Sequence, residues 1–184
     1  MRKITASLLA GSLALAFTGA ALAENPMVGG AAMYANKNIV ENAVNSKDHT
    51  TLVAAVKAAG LVDTLSGKGP FTVFAPTNEA FEKLPAGTVD TLLKPENKDQ
   101  LTKVLTCHVV AADAMSSAIA KMIADDNGDH PVKTVGGCTL QAKMDGDKIT
   151  LTDENGNIAT VTIADVDQSN GVIHVIDTVL LPKA

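Results

Sequence analysis

The chain has 184 residues, with 15 Lys plus Arg against 20 Asp plus Glu, 46% hydrophobic residues, 3% aromatic residues and no Trp. That length accommodates one globular domain with an ordinary core and leaves little room for two. The net charge of −5 comes without a basic run, which argues against capture of nucleic acid, and the scarcity of aromatics argues against a base-stacking platform.

Arg2 and Lys3 precede an apolar stretch from Leu8 to Phe17, followed by small residues and the tripeptide Ala21, Leu22, Ala23. A positive start, a short apolar middle and small residues before a cut make residues 1–23 a secretory signal peptide, cleaved after Ala23. A bilayer span takes about 20 strongly apolar residues, so no membrane span is expected once the leader is removed. The mature chain is expected in the periplasm or outside the cell. Residues 24–35 are small, Gly-rich and patternless, and they read as a flexible leader to a domain covering 36–184.

Helical spacing then dominates. Ile39, Val40, Ala43 and Val44 share a face in a short helix over 36–44. Asp48 is the expected N-cap of a helix carrying Leu52, Val53, Val56 and Ala59, with Gly60 as its stop. A turn at Leu61 to Leu65 and the breakers Gly67, Gly69 and Pro70 lead to a strand over Phe71 to Phe74. Thr77 is expected to cap a helix holding Ala80 and Phe81, and Thr88 another running to Leu93. Asn97 with Gln100 resembles a capping box ahead of Leu101, Val104 and Leu105. Cys107 to Val110 reads as a strand, and Ala112 to Ala124 as the last substantial helix.

The remaining third changes to period 2. Strands are expected over 132–135, 139–144, 148–152, 158–163 and 172–180, with Asp145, Gly146 and Asn155, Gly156 as hairpin turns. Helices gathered first and antiparallel strands later, with no strand–helix–strand alternation, give an α+β class.

Cys107 and Cys138 are the only cysteines. In an oxidising compartment a lone pair most simply forms one disulfide, stabilising by roughly 3 to 4 kcal/mol through restriction of the unfolded chain. The competing reading is a catalytic thiol beside His108. Neighbours on a strand point to opposite faces, so Cys107 and His108 would form no thiolate–imidazole dyad there.

Three stretches resemble a known family. Gly69 to Leu84 (GPFTVFAPTNEAFEKL), Leu105 to Val110 (LTCHVV) and Asn170 to Pro182 (NGVIHVIDTVLLP) look like the first, central and last conserved blocks of the fasciclin (FAS1) domain. The chain is similar to a small, single-domain, secreted bacterial member. The resemblance implies a wedge of antiparallel and mixed β-strands packed with several short helices. It implies a non-enzymatic role in cell adhesion or matrix binding, with a protein or polysaccharide of a surface or matrix as partner, a monomer as the expected state and no cofactor. Asp165 and Val166 occupy the place of an Asp and an apolar residue linked with adhesion, and His108 keeps the central His, so these three are candidate binding residues. Cys107 stands where the family usually has Tyr, and His49 where it commonly has Phe.

Rival chemistry finds little in the residues. His108 and His174 lie among Val and Ile, where a core histidine bonded to a carbonyl is the expected role. The four His form no metal-ligand spacing, and no nucleophile elbow or phosphate loop is present. Asp165, Asp167, Ser169 and Asp153, Asn155, Asn157 alternate like the start of a calcium loop, but lack its Gly and Glu; they read as solvated turns. A small-ligand carrier or stress protein using an apolar groove between helices and sheet is the alternative to adhesion, and an uncharacterised hydrolase a third possibility.

Overall fold

The computed structural model describes residues 25–183. The expected signal peptide lies outside the described residues. Where composition predicts a flexible leader, the structure has a small hairpin: β1 (Met27–Val28) pairs antiparallel with β2 (Ala31–Ala32) around Gly29 and Gly30. Val28 and Met33 enter the core, and Lys47 N donates to the Gly29 carbonyl. Two anchoring side chains are too few to create a periodic signal, which is why composition alone misses this packing.

Helix ends follow local chemistry in part. Asn38 and Glu41 form a capping box at α1 (Ile39–Ala43), and Gly60 closes α2 (Thr50–Ala59) with φ 72°. Asp48 does not cap α2; it sits in a 3-10 turn, Lys47–His49. The start of α2 is instead served from a distance, by Asn78 Oδ1 accepting from Thr51 N at 3.0 Å. After α3 (Val62–Leu65) and β3 (Phe71–Pro76), Thr77 caps α4 (Asn78–Glu82) through Ala80 N, as expected. At α5 (Thr88–Leu92) the cap position is Gly87, so Thr88 lies inside the helix. At α6 (Lys98–Thr106) the expected box is absent, because the Asn97 amide donates to the Thr91 carbonyl.

The strand expected at Cys107 shrinks to β4 (Val109–Val110), with Cys107 ending α6. The next helix, α7 (Ser116–Asp125), starts four residues later than its expected onset at Ala112. Then come β5 (His130–Lys133), β6 (Thr139–Asp145), β7 (Lys148–Thr152), β8 (Ile158–Gln168) and β9 (Gly171–Ile176). The seven-stranded sheet runs β4-β3-β9-β8-β7-β6-β5 and is antiparallel except for the β3–β9 pair. At that parallel pair a Cβ on Gly171 would collide with the Phe71 carbonyl oxygen, so the close approach requires glycine.

Alternation along the central strands divides the core. Val73 and Ala75 of β3, with Ile173 and Val175 of β9, face a cluster built with α1 to α6. Phe74 and Ile176 face a second cluster, where Ile119 and Ile123 of α7 cover Leu140, Leu151 and Val161. Leu151 is fully buried, and a side chain of that size contributes about 2 to 3 kcal/mol through burial. This is the expected α+β architecture.

Beyond β9 the chain leaves the sheet. The expected strand over 172–180 ends at Ile176, and residues 177–183 form a strap held largely by side chains.

Candidate functional site

The candidate residues lie in three polar knots. In the first, His108 sits at 2% exposure between α6 and the strap. Leu180 N donates to His108 Nε2 at 2.9 Å, which fixes Nε2 as an acceptor and leaves Nδ1–H to donate to the Val104 carbonyl at 2.8 Å. Burial pushes its pKa down to about 4, against the smaller opposing effects of the Val104 carbonyl and the Asp153 charge. A neutral, fully bonded, buried ring offers nothing to a partner at the surface.

The second knot surrounds Asp165. The apolar pattern of β8 breaks there: Val161 and Val166 are both buried, an odd spacing that period 2 forbids without an irregularity. Register shifts lie between Val161 and Ile163 and between Ile163 and Val166, and Asp165 takes φ 58°. The bulge aims the carboxylate at the start of α7, where Oδ1 accepts from Ser116 N at 2.6 Å and Oδ2 accepts from the Ser116 hydroxyl. Asp165 thus does the work of an N-cap for a helix 49 residues away in sequence. Its own N–H donates to His174 Nδ1 at 3.3 Å, and His174 Nε2–H donates to the Ala114 carbonyl at 2.8 Å. His174 is fully buried and stacks on Phe74 with ring centroids 5.7 Å apart. Desolvation lowers its pKa, outweighing the Ala114 carbonyl and the Asp165 and Asp113 charges.

The third knot is the 153–157 turn. Asp153 is 5% exposed, while Asn155 and Asn157 are exposed as expected of a solvated turn. The Asp153 carboxylate accepts from Asn155 N, Asn157 N, the Asn157 amide and Leu181 N, all at 2.8 to 2.9 Å. Oxygens occupied by N–H donors face the wrong chemistry for calcium. Among the described residues, no group of three or more His, Cys, Asp or Glu is placed to hold a metal.

Cys107 and Cys138 form a disulfide with Cα atoms 5.4 Å apart, both buried, tying the end of α6 to the loop before β6. Cys107 and His108 are neighbours in a turn rather than on a strand, so the alternation argument against a dyad does not apply; the disulfide itself consumes the thiol.

The candidate residues therefore do not converge. Val166 is fully buried and His108 nearly so, and only Asp165 keeps partial exposure. Of the three candidate binding residues, two face inward and the third holds a helix. Sequence reading missed Ser116 and Leu180 because their roles exist only across long separations. Asp153 was nearer to hand, since Asp-x-Asn-x-Asn is the pattern of a side chain closing its own turn.

Comparison with known proteins gives these knots their context. A family model described as Fasciclin domain matches residues 47–182. The chain belongs to the fasciclin domain family. It is 49% identical over 159 residues to Protein sll1483 of Synechocystis sp., covering 86% of this chain and 81% of that protein. It is 36% identical over 151 residues to Immunogenic protein MPB70 of Mycobacterium bovis, covering 77% and 67%. It is 38% identical over 133 residues to Transforming growth factor-beta-induced protein ig-h3 of Sus scrofa, covering 72% of this chain and 17% of that much longer protein. A FAS1 domain pair from the insect cell adhesion molecule Fasciclin I shares the fold, with TM-score 0.68, 18% identity, and coverage of 79% of this chain and 51% of that one. The fasciclin fold here is the expected wedge of mixed strands and short helices. No helix among the described residues is long and apolar enough to cross a membrane.

Proposed function

We propose that this chain is exported and acts as a non-enzymatic adhesion module, holding a protein or polysaccharide of a cell surface or matrix. The observation that carries the reading is membership of the fasciclin family across residues 47–182, together with the fold shared with an insect cell adhesion molecule. A second relative points to the same location: Cell surface glycolipoprotein MPB83 of Mycobacterium bovis is 37% identical over 88% of this chain.

The buried histidines leave recognition to other groups. An open groove of about 440 Å³ runs between α5–α6 and the strap, its mainly apolar lining of Leu92, Val104, Leu181 and Pro182 set with Gln100, Lys103, Asn155, Asn157 and Lys183. Amide and ammonium donors of this kind suit hydroxyl- or carboxylate-bearing surfaces. We assign the contact face to this groove.

The test is attachment of cells lacking the protein, with the purified chain added back. Attachment is expected to fall in the deletion strain and to return with the wild-type chain. A deletion strain that attaches normally refutes the adhesion reading. A Lys103→Glu, Lys183→Glu double variant is expected to restore less; full restoration moves the contact face elsewhere while adhesion stands.

A further inference from the structure

The groove between α5–α6 and the strap does not end at α5. Past Thr88, Leu92 and Gln100, which wall both spaces, it opens into a shallower pocket of about 300 Å³ bounded by Ala86, Gly87 and Thr91. The two form one continuous trough, each part reaching the roughly 300 to 1,000 Å³ of a ligand cleft. Gln100 and Lys103 stand three residues apart on α6, so both project along the same edge of it.

The groups left free along the trough define what fits it. Among the described residues, the Lys103 and Lys183 ammonium groups have no ion-pair partner, and no carboxylate lines either space. Glu154, whose charge both lysines feel, has its oxygens on the backbone amides of Thr139 and Lys183, at 3.2 and 3.1 Å. Asn155 spends its amide N–H groups on the Leu181 and Pro182 carbonyls, at 3.0 and 3.1 Å, and Asn157 donates to Asp153 at 2.8 Å. Both side-chain carbonyl oxygens therefore remain as acceptors. The trough thus offers cations to carboxylates, acceptors to hydroxyls, and an apolar floor to C–H faces.

A peptide is served poorly by the same walls. Strand addition needs unpaired backbone groups, and the strap keeps few. Leu180 N, Leu181 N and Lys183 N donate to His108, Asp153 and Glu154, Pro182 has no N–H, and Asn155 takes the Leu181 and Pro182 carbonyls. An amphipathic helix needs an unbroken apolar lane, and Gln100 and Lys103 interrupt this one. Resting on the adhesion reading, we infer that the trough holds a uronic-acid polysaccharide. Its carboxylates meet Lys103 and Lys183, its hydroxyls donate to the Asn155 and Asn157 oxygens, and its ring C–H faces cover Leu92, Val104 and Pro182.

The experiment titrates the purified chain with tetragalacturonate, tetramannuronate, neutral maltotetraose and tetraglutamate, followed by calorimetry and side-chain amide NMR. One or both uronates are expected to bind saturably, to shift the amide signals of Gln100, Asn155 and Asn157, and to bind about tenfold more tightly than maltotetraose or tetraglutamate. High salt should erase most of that margin. Lys103 and Lys183 are exposed, so a Lys103→Gln, Lys183→Gln variant should keep its unfolding midpoint while losing about tenfold in uronate affinity. No saturable binding of either uronate, equally tight maltotetraose, or undiminished affinity in the folded variant overturns the inference. Equally tight tetraglutamate overturns it too and makes an acidic protein segment the occupant. Uronate binding that fails while the deletion strain loses attachment overturns this partner and leaves adhesion standing. Uronate binding that holds while the deletion strain attaches normally refutes adhesion and keeps the polysaccharide site.

Discussion

Acidification should unfold this domain through His108, and the amount follows from its surroundings. The ring's pKa is 6.5 in the unfolded chain and about 4 in the folded one, with burial as the main cause. Between those values the unfolded chain binds the extra proton, so stability rises with pH and is lost as pH falls from roughly 6.5 towards 4. The linkage relation gives a loss of about 2 kcal/mol between pH 7 and pH 5, and about 3 kcal/mol by pH 4. The chemical reason is specific: Nε2 accepts from Leu180 N, and protonation turns that acceptor into a second donor facing an N–H. Urea unfolding at a series of pH values, for wild type and His108→Phe, isolates the effect because His49 and His174, whose pKa values are also lowered, are common to both. The variant is expected to be less stable near neutrality, since Leu180 N and the Val104 carbonyl lose partners, and its disadvantage should shrink by about 2 kcal/mol towards pH 5. Parallel pH profiles for the two proteins would falsify the assignment of His108 as the buried neutral clasp.

Intact-mass analysis after alkylation without reductant should show neither Cys107 nor Cys138 labelled, and the double Cys→Ser variant should lose about 3 to 4 kcal/mol in denaturant unfolding; two labelled thiols would contradict the disulfide. Asp153→Ala removes the acceptor for four N–H groups, two of them backbone amides inside the turn and one in the strap. It should cost about 2 to 3 kcal/mol and speed hydrogen exchange at Asn157 and Leu181; unchanged exchange at Leu181 would mean that the strap is held by His108 and burial alone.

How far the sequence spoke depended on the distance over which each interaction acts. The Thr77 cap, the Gly60 stop and the hairpin turns depend on residues within a few positions, and all were legible. Caps supplied from elsewhere were not: Asn78 serves α2 across 27 residues and Asp165 serves α7 across 49. The β8 strand looked finished at Ile163 because its alternation fails there. A bulge resets the phase and carries the strand on to Gln168. The adhesive trio was transferred by position in the family pattern, which says nothing about facing. Burial of Val166 in the cluster under α1 to α6, and of His108 beneath the strap, is visible only in the structure.

That same facing decides how any loss of attachment at Asp165 must be interpreted. Its carboxylate is already spent on the Ser116 amide and hydroxyl, so Asp165→Ala removes a cap and should cost about 1 to 2 kcal/mol. Attachment and denaturant midpoint should then fall together. Asp165→Asn keeps an oxygen for the Ser116 amide, tolerates φ 58° and is as good a cap, so it should keep most of the stability while deleting the charge. If the residue acts by holding α7, the Asn variant attaches nearly as well as wild type. Loss of attachment in Asp165→Asn with its unfolding midpoint intact would show instead that a partner reads the charge directly. The carboxylate would then have to leave Ser116 on binding, and α7 would lose its cap when the partner docks.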